Sequence, residues 1–310
     1  MRIPIIALCL LWTGVAQANT ELAAAIENVR TACSGISNEL IELKKMAGIN
    51  TAVTGVGTAA AGVALGTGLA KAKTDEHIDL IEELLKQDSN AEIQEIQVVD
   101  AEKLSEELTT FEAELQKLTP DELNTKLTEN TNKSKTLGNV RTGTMAAATA
   151  TNIAGAAIAG TNKIDKDFAT QIGACAGAVA ALSNIKMLAT VDGSAEPEQI
   201  TQADKMIAAC GQYETLNLSS INKRAAGAAV SSGIGAGLGL AGTVTSALAN
   251  TDKTREGDAE KEKTLNTTAN ILAGGTTAAG LTSTIFNATQ ISTIKRAATV
   301  ADECEEALRQ

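Results

Sequence analysis

Charge is distributed along this chain in blocks. Four runs, 46–70, 142–162, 225–251 and 264–294, contain no Asp, Glu, Lys or Arg. Charged, helix-favouring segments separate them. Residues 21–45 pattern as an amphipathic helix. Residues 73–135 are polar and acidic, with Leu104, Leu108, Phe111, Leu115 and Leu118 spaced 4, 3, 4, 3 as in a heptad seam. Thr119-Pro120-Asp121-Glu122 reads as a helix start, with Thr119 as the cap and Pro120 at the first position. In the run 225–251, Val230, Ile234, Gly237, Ala241, Val244 and Leu248 fall on one heptad seam. Strand-like alternation is absent there, so helix is the expected state despite the glycines, each of which costs about 1 kcal/mol relative to Ala.

The pattern folds the chain back on itself twice. The stretch from Cys33 to Ala72 is as long as that from Thr136 to Cys175. The stretch from Cys210 to Asp252 is as long as that from Glu262 to Cys304. Antiparallel arms of equal length place Cys33 opposite Cys175 and Cys210 opposite Cys304. They also place Lys163, and the polar patch after it, opposite Lys45. Each arm would extend about 60 Å as helix. Short repeats agree with two related halves: Lys135-Thr136-Leu137 recurs as Lys263-Thr264-Leu265. The expected fold is all-α: two long antiparallel helical hairpins rich in Ala, Gly and Thr, packed as an elongated bundle, the first with an acidic coiled-coil tip at 73–135. The divisions are 1–18, 19–195 for the first hairpin and 196–310 for the second.

Residues 1–18 stand apart. Arg2, an apolar stretch from Ile3 to Trp12, and Ala16-Gln17-Ala18 make the pattern of a cleavable secretory signal, with the mature chain starting at Asn19. Cys9 is lost with it. Cys33, Cys175, Cys210 and Cys304 remain, an even number in a chain expected in an oxidising compartment, which gives two disulfides. The expected location is the periplasm, envelope or extracellular space.

Composition limits what the core is made of. The chain has 26 Gly, one Trp, one Tyr and three Phe, so helices must pack through small side chains. With three Pro, at 4, 120 and 197, long helices run uninterrupted. The net charge is −11, which repels phosphate backbones and argues against nucleic acid as a partner. Residues 73–135 hold 17 Asp and Glu against seven Lys, most of the acidic excess.

No catalytic constellation emerges. Gly237-Leu238-Gly239-Leu240-Ala241-Gly242 has the spacing of a dinucleotide loop but no β-strand pattern precedes it. His77 is the only histidine; Asp75, Glu76 and Asp79 around it read as a solvated helix face rather than a metal site. There is no nucleophile elbow, phosphate-binding loop or EF-hand spacing. No cofactor and no enzymatic activity are expected.

Two functional classes follow. The first is an exported structural or interaction protein that binds a protein or envelope component through a helical surface, as a monomer or an oligomer. The second is a membrane-associated hairpin or pore-forming protein whose small-residue runs resemble glycine zippers in composition. It would contact lipid through 46–70, 142–162, 225–251 and 264–294. The apolar residues of 225–251 contribute only about −2 to −4 kcal/mol toward insertion, and no aromatic belts flank the runs, so the first class is favoured on sequence.

Overall fold

The computed structural model describes residues 6–89, 104–191, 193, 195–251 and 259–310. Every regular element among them is helical: α1 (Ile6–Cys33), α2 (Ile36–Ser89), α3 (Leu104–Leu115), α4 (Pro120–Thr161), α5 (Lys166–Val191), α6 (Pro197–Cys210), a 3-10 turn (Gly211–Thr215), α7 (Leu218–Ala249) and α8 (Ala259–Arg309). The two antiparallel hairpins are α2 with α4, and α7 with α8. Residues 252–258, between α7 and α8, lie outside the described residues.

Local chemistry sets the helix ends. Residues 21–45, expected as one helix, are two, because Gly35 takes a positive φ of 80° that a side chain would resist. The arm ending at Cys175 is also broken. α4 stops at Thr161, and Asp165 caps α5 by accepting a hydrogen bond from the Phe168 N–H at 2.7 Å. The start of α4 falls at Pro120, as its sequence indicates. Glu122 accepts hydrogen bonds from the Thr119 N–H at 2.8 Å and its hydroxyl at 2.9 Å.

The chain divides into two compact units. The first comprises Met1–Ala52, Gly155–Val230 and Ser283–Gln310, and the second Val53–Ala154 and Ser231–Thr282. Residues 195 and 196, where the sequence separates the hairpins, both lie in the first unit. Its core is conventional. Leu22, Ile26, Val29, Ile36 and Leu40 pack with Phe168, Ile172, Val179, Leu182, Met206, Tyr213 and Ile294. Two disulfides, Cys33–Cys175 and Cys210–Cys304, run through it with Cα–Cα distances of 4.7 and 4.6 Å. This is the pairing that equal arm lengths give.

The second unit is built differently. It is an antiparallel four-helix arrangement in which α2 adjoins α4 and α8, and α7 adjoins α4 and α8. Each helix buries one stripe with the 3, 4 spacing of a coiled coil. On α2 the stripe is Thr54, Gly57, Ala61, Ala64, Gly68 and Lys71. On α7 it is Ser232, Gly235, Gly239, Gly242, Ser246 and Ala249. Among the described residues, the purely apolar clusters here are a small one, Ala64, Met145 and Ala273, and a larger one at the tip around Ile81, Leu115 and Leu123.

Candidate functional surface: a bundle with its polar face inward

The heptad period read from 225–251 is present, but its expected core face points outward. Val230, Ile234, Val244 and Leu248 are 63%, 54%, 52% and 51% exposed. The buried face is the opposite one, made of Gly and Ser. Close approach is the physical reason. Glycine lets a neighbouring backbone come within reach of a small polar side chain, and a larger residue on that face would hold the helices apart. A Cβ built on Gly239 would meet the Thr149 Cα and Cβ at 3.4 Å, and one on Gly280 would meet those of Thr58 at the same distance.

Within the second unit the reversal holds on α2, α4, α7 and α8. Val56, Val63 and Leu69 on α2, Ile153 on α4, Ile234, Leu240, Val244 and Leu248 on α7, and Ile271 and Leu281 on α8 are all at least half exposed. The interior contains Thr54, Lys71, Thr74, Ser134, Arg141, Thr149, Asn152, Ser232, Ser246, Asn266 and Thr276. Buried polar groups need partners, and most of these have them. Lys71, fully buried, donates to Asp75 at 2.6 Å and to Glu262 at 2.8 Å. Arg141 donates to the Ser246 hydroxyl at 2.8 Å and to the Asn266 carbonyl oxygen at 2.7 Å. Ser134 donates to Asp75, and Asn250 donates to Asn139 at 2.6 Å. Asn152 is the exception: it is fully buried, and neither of its amide atoms has a partner among the described residues.

Threonine makes the outer face less polar than its sequence implies. Thr67, Thr144, Thr245 and Thr282 each donate their hydroxyl to the carbonyl four residues back, at 2.8 to 2.9 Å. A hydroxyl bonded to its own helix needs no solvent partner and presents its methyl group outward.

The residues weighed for chemistry fall as follows. The G-x-G-x-x-G at 237–242 lies wholly inside α7, where it forms no phosphate-binding turn. His77 stacks on Phe111 with ring centroids 4.0 Å apart, a contact invisible in sequence because the partners are far apart in the chain. Leu115 is buried in the tip cluster and Leu118 packs against it; the Leu104 and Leu108 side chains lie outside the described residues. Asp79 titrates above the usual carboxylate range because it is partly buried, and because Glu82 and Asp75 lie near it. The Sγ atoms of Cys33, Cys175 and Cys304 lie within 4.8 Å of one another. All are oxidised, so they present no thiolate to a metal.

Set against protein-family models, curated proteins and solved structures, the chain matches none. The fold and surface define a disulfide-stapled, all-helical bundle protein, with one unit of conventional core and one of reversed polarity.

Proposed function

We propose that this is an exported, non-enzymatic helical-bundle protein whose second unit, apart from its acidic segment 73–135, sits in a membrane. The observation that carries this reading is the reversed pattern of the second unit. A four-helix segment that buries Lys, Arg, Asn, Thr and Ser while exposing Val, Ile and Leu is matched to an apolar surrounding, not to water. Small residues at the helix contacts and hydroxyls bonded to their own helices are the packing devices of helices in lipid. Within the second unit the charge-free stretches, 53–70, 142–154, 231–251 and 264–282, extend about 20 to 32 Å as helix, and three of them approach the roughly 30 Å of a bilayer's hydrocarbon core. Two helical stretches that run into this unit, Thr20–Lys86 and Leu218–Ala249, are long and apolar enough to cross a membrane; Lys166–Val191 is so too but belongs to the first unit.

The low insertion energy of each run is not decisive against this. The apolar side chains are few, but they share the outer face, and most of the buried polar ones that oppose insertion are paired. The first unit, with its apolar core and two disulfides, remains in water. So does the acidic segment 73–135, which we propose is the surface that meets a basic protein or envelope partner. Such binding would weaken as salt rises. Fractionation tests the reading: the exported protein stays with membranes after an alkaline wash, whereas release into the wash with the soluble proteins would defeat it.

A further inference from the structure

We infer that the second unit opens along the seam between its two hairpins, and that the opened seam is a water-filled path for small hydrophilic solutes. This inference rests on the membrane reading above. Four observations carry it.

First, the contacts that α7 and α8 make divide by chemistry, although α2 and α4 of the first hairpin also meet through polar groups, Ser134 with Asp75 and Thr151 at Gly57. Within the second hairpin, α7 meets α8 through apolar groups: a Cβ on Gly235 would touch Ala279, one on Gly242 would touch Leu272, and one on Gly275 would touch Leu238. Between the hairpins, the contacts of α2 with α8 and of α4 with α7 are mostly polar. They include Lys71 with Glu262, Arg141 with Ser246, Thr58 at Gly280, Thr149 at Gly239, and Asn152 at Gly235. Polar faces that separate in a bilayer must be wetted, because lipid cannot partner them.

Second, this seam is the less satisfied one. Asn152 faces Gly235 across it with both amide atoms unpaired among the described residues, so water entering there gains hydrogen bonds that the closed seam lacks. Third, no covalent link crosses the seam. Both disulfides, Cys33–Cys175 and Cys210–Cys304, belong to the first unit and not to this seam. Fourth, the outer faces already suit lipid, so the hairpins can part without turning over. The small cluster Ala64, Met145 and Ala273, contributed by both hairpins, is the apolar plug that keeps the closed form dry.

The geometry supplies its own locks. The Cβ on Gly280 would lie 3.4 Å from that of Thr58, and the Cβ on Gly239 the same distance from that of Thr149, close to the roughly 3.5–4.5 Å of a disulfide. Thr58→Cys with Gly280→Cys, or Thr149→Cys with Gly239→Cys, therefore staples one hairpin to the other. Gly57→Cys with Thr151→Cys, whose Cβ atoms would be 3.2 Å apart, staples α2 to α4 within one hairpin and serves as the control.

The experiment reconstitutes the exported protein and each oxidised variant into phosphatidylcholine vesicles loaded with calcein. It measures vesicle flotation and dye release, with each new disulfide verified by peptide mapping. All proteins float with the vesicles. The parent and the control release dye, and either seam-locked variant releases it at least about tenfold more slowly, since the polar faces stay sealed. Release by both seam-locked variants at the parental rate overturns the opening. So does a parent that floats but releases no dye, although that result leaves the membrane reading standing. A parent that fails to float removes both.

Discussion

Thr58 and Gly280 stand where α2 meets α8 so closely that a Cβ on the glycine would lie 3.4 Å from the Thr58 Cβ. Gly239 and Thr149 repeat this arrangement where α7 meets α4. Both glycines lie on the buried 3, 4 stripes of their helices, and both bring a hydroxyl-bearing residue against a neighbouring backbone. Gly280→Val or Gly239→Val adds bulk where backbone atoms stand in the way. Each is expected to destabilise the second unit by about 1–3 kcal/mol. Gly62 is the counterexample: a Cβ there meets nothing within 4 Å. Gly62→Ala is expected to be neutral or to stabilise by up to about 1 kcal/mol through helix propensity. Thermal unfolding followed by circular dichroism separates the two cases. Equal effects at Gly239 and Gly62 would contradict the close-contact account.

The heptad period of 225–251 was legible in the sequence; the face it buries was not. Periodicity groups Val230, Ile234, Val244 and Leu248 on one side of α7, but does not tell whether that side meets a neighbour or the surroundings. The neighbours decide, and Gly235, Gly239 and Gly242 admit Asn152, Thr149 and Met145 on the opposite side. The disulfides were legible because equal arms depend only on counting. The breaks at Gly35 and at 162–165 were missed, since each rests on one or two residues inside a helical pattern. The burial of Lys71 and Arg141 was also missed, because a charge at the end of a charge-free run reads as the place where water begins.

Lys71 is the most sensitive single charge in the second unit. It is fully buried, and its two partners, Asp75 and Glu262, are 26% and 16% exposed. Lys71→Met removes the cation from between two poorly solvated carboxylates, an expected cost of about 3–5 kcal/mol. The double variant Lys71→Met with Glu262→Met removes one of those carboxylates and is expected to recover part of the loss. Chemical denaturation of the three proteins measures the coupling. Additive losses in the double variant would show that the pair does not act as a unit.

Each disulfide closes a long stretch, with sequence separations of 142 and 94. Chain entropy puts the stabilisation from each near 4–5 kcal/mol, with native strain reducing it in practice. Paired Cys→Ala replacement of either bridge is expected to lower the denaturation midpoint of the first unit markedly, and replacement of both to lower it further. Non-reducing peptide mapping of the parent is expected to recover Cys33 with Cys175 and Cys210 with Cys304. A Cys33–Cys304 peptide would contradict the hairpin register.

Tyr213 gives the first unit a defined alkaline limit. It is the only tyrosine in the chain and is 3% exposed. Its phenol is held well above its ordinary pKa by burial first, and then by Asp302 and Glu305. The folded state therefore keeps this proton at pH values where the unfolded chain would release it. Stability from this group is full below the unfolded pKa, about 10, and falls as pH rises past it toward the folded value. Tyrosinate absorbance is expected to stay flat as pH passes 10 and then to rise together with loss of helix. A simple titration centred near 10 with the helix intact would show that Tyr213 is not buried.

The most direct test of the membrane reading is depth-dependent quenching on the outer face of the second unit. Single cysteines at Val244 or Ile271, 52% and 70% exposed, carry an environment-sensitive dye in protein reconstituted with phosphatidylcholine vesicles. Quenchers are placed either on the acyl chains or in the water. A dye at Ser246 on the buried face of α7 is the control. The expected result is strong quenching of the Val244 and Ile271 dyes from the acyl chains with little from water, and little acyl-chain quenching at Ser246. Strong aqueous quenching at Val244 and Ile271, with none from the acyl chains, would contradict the placement of this bundle in a membrane.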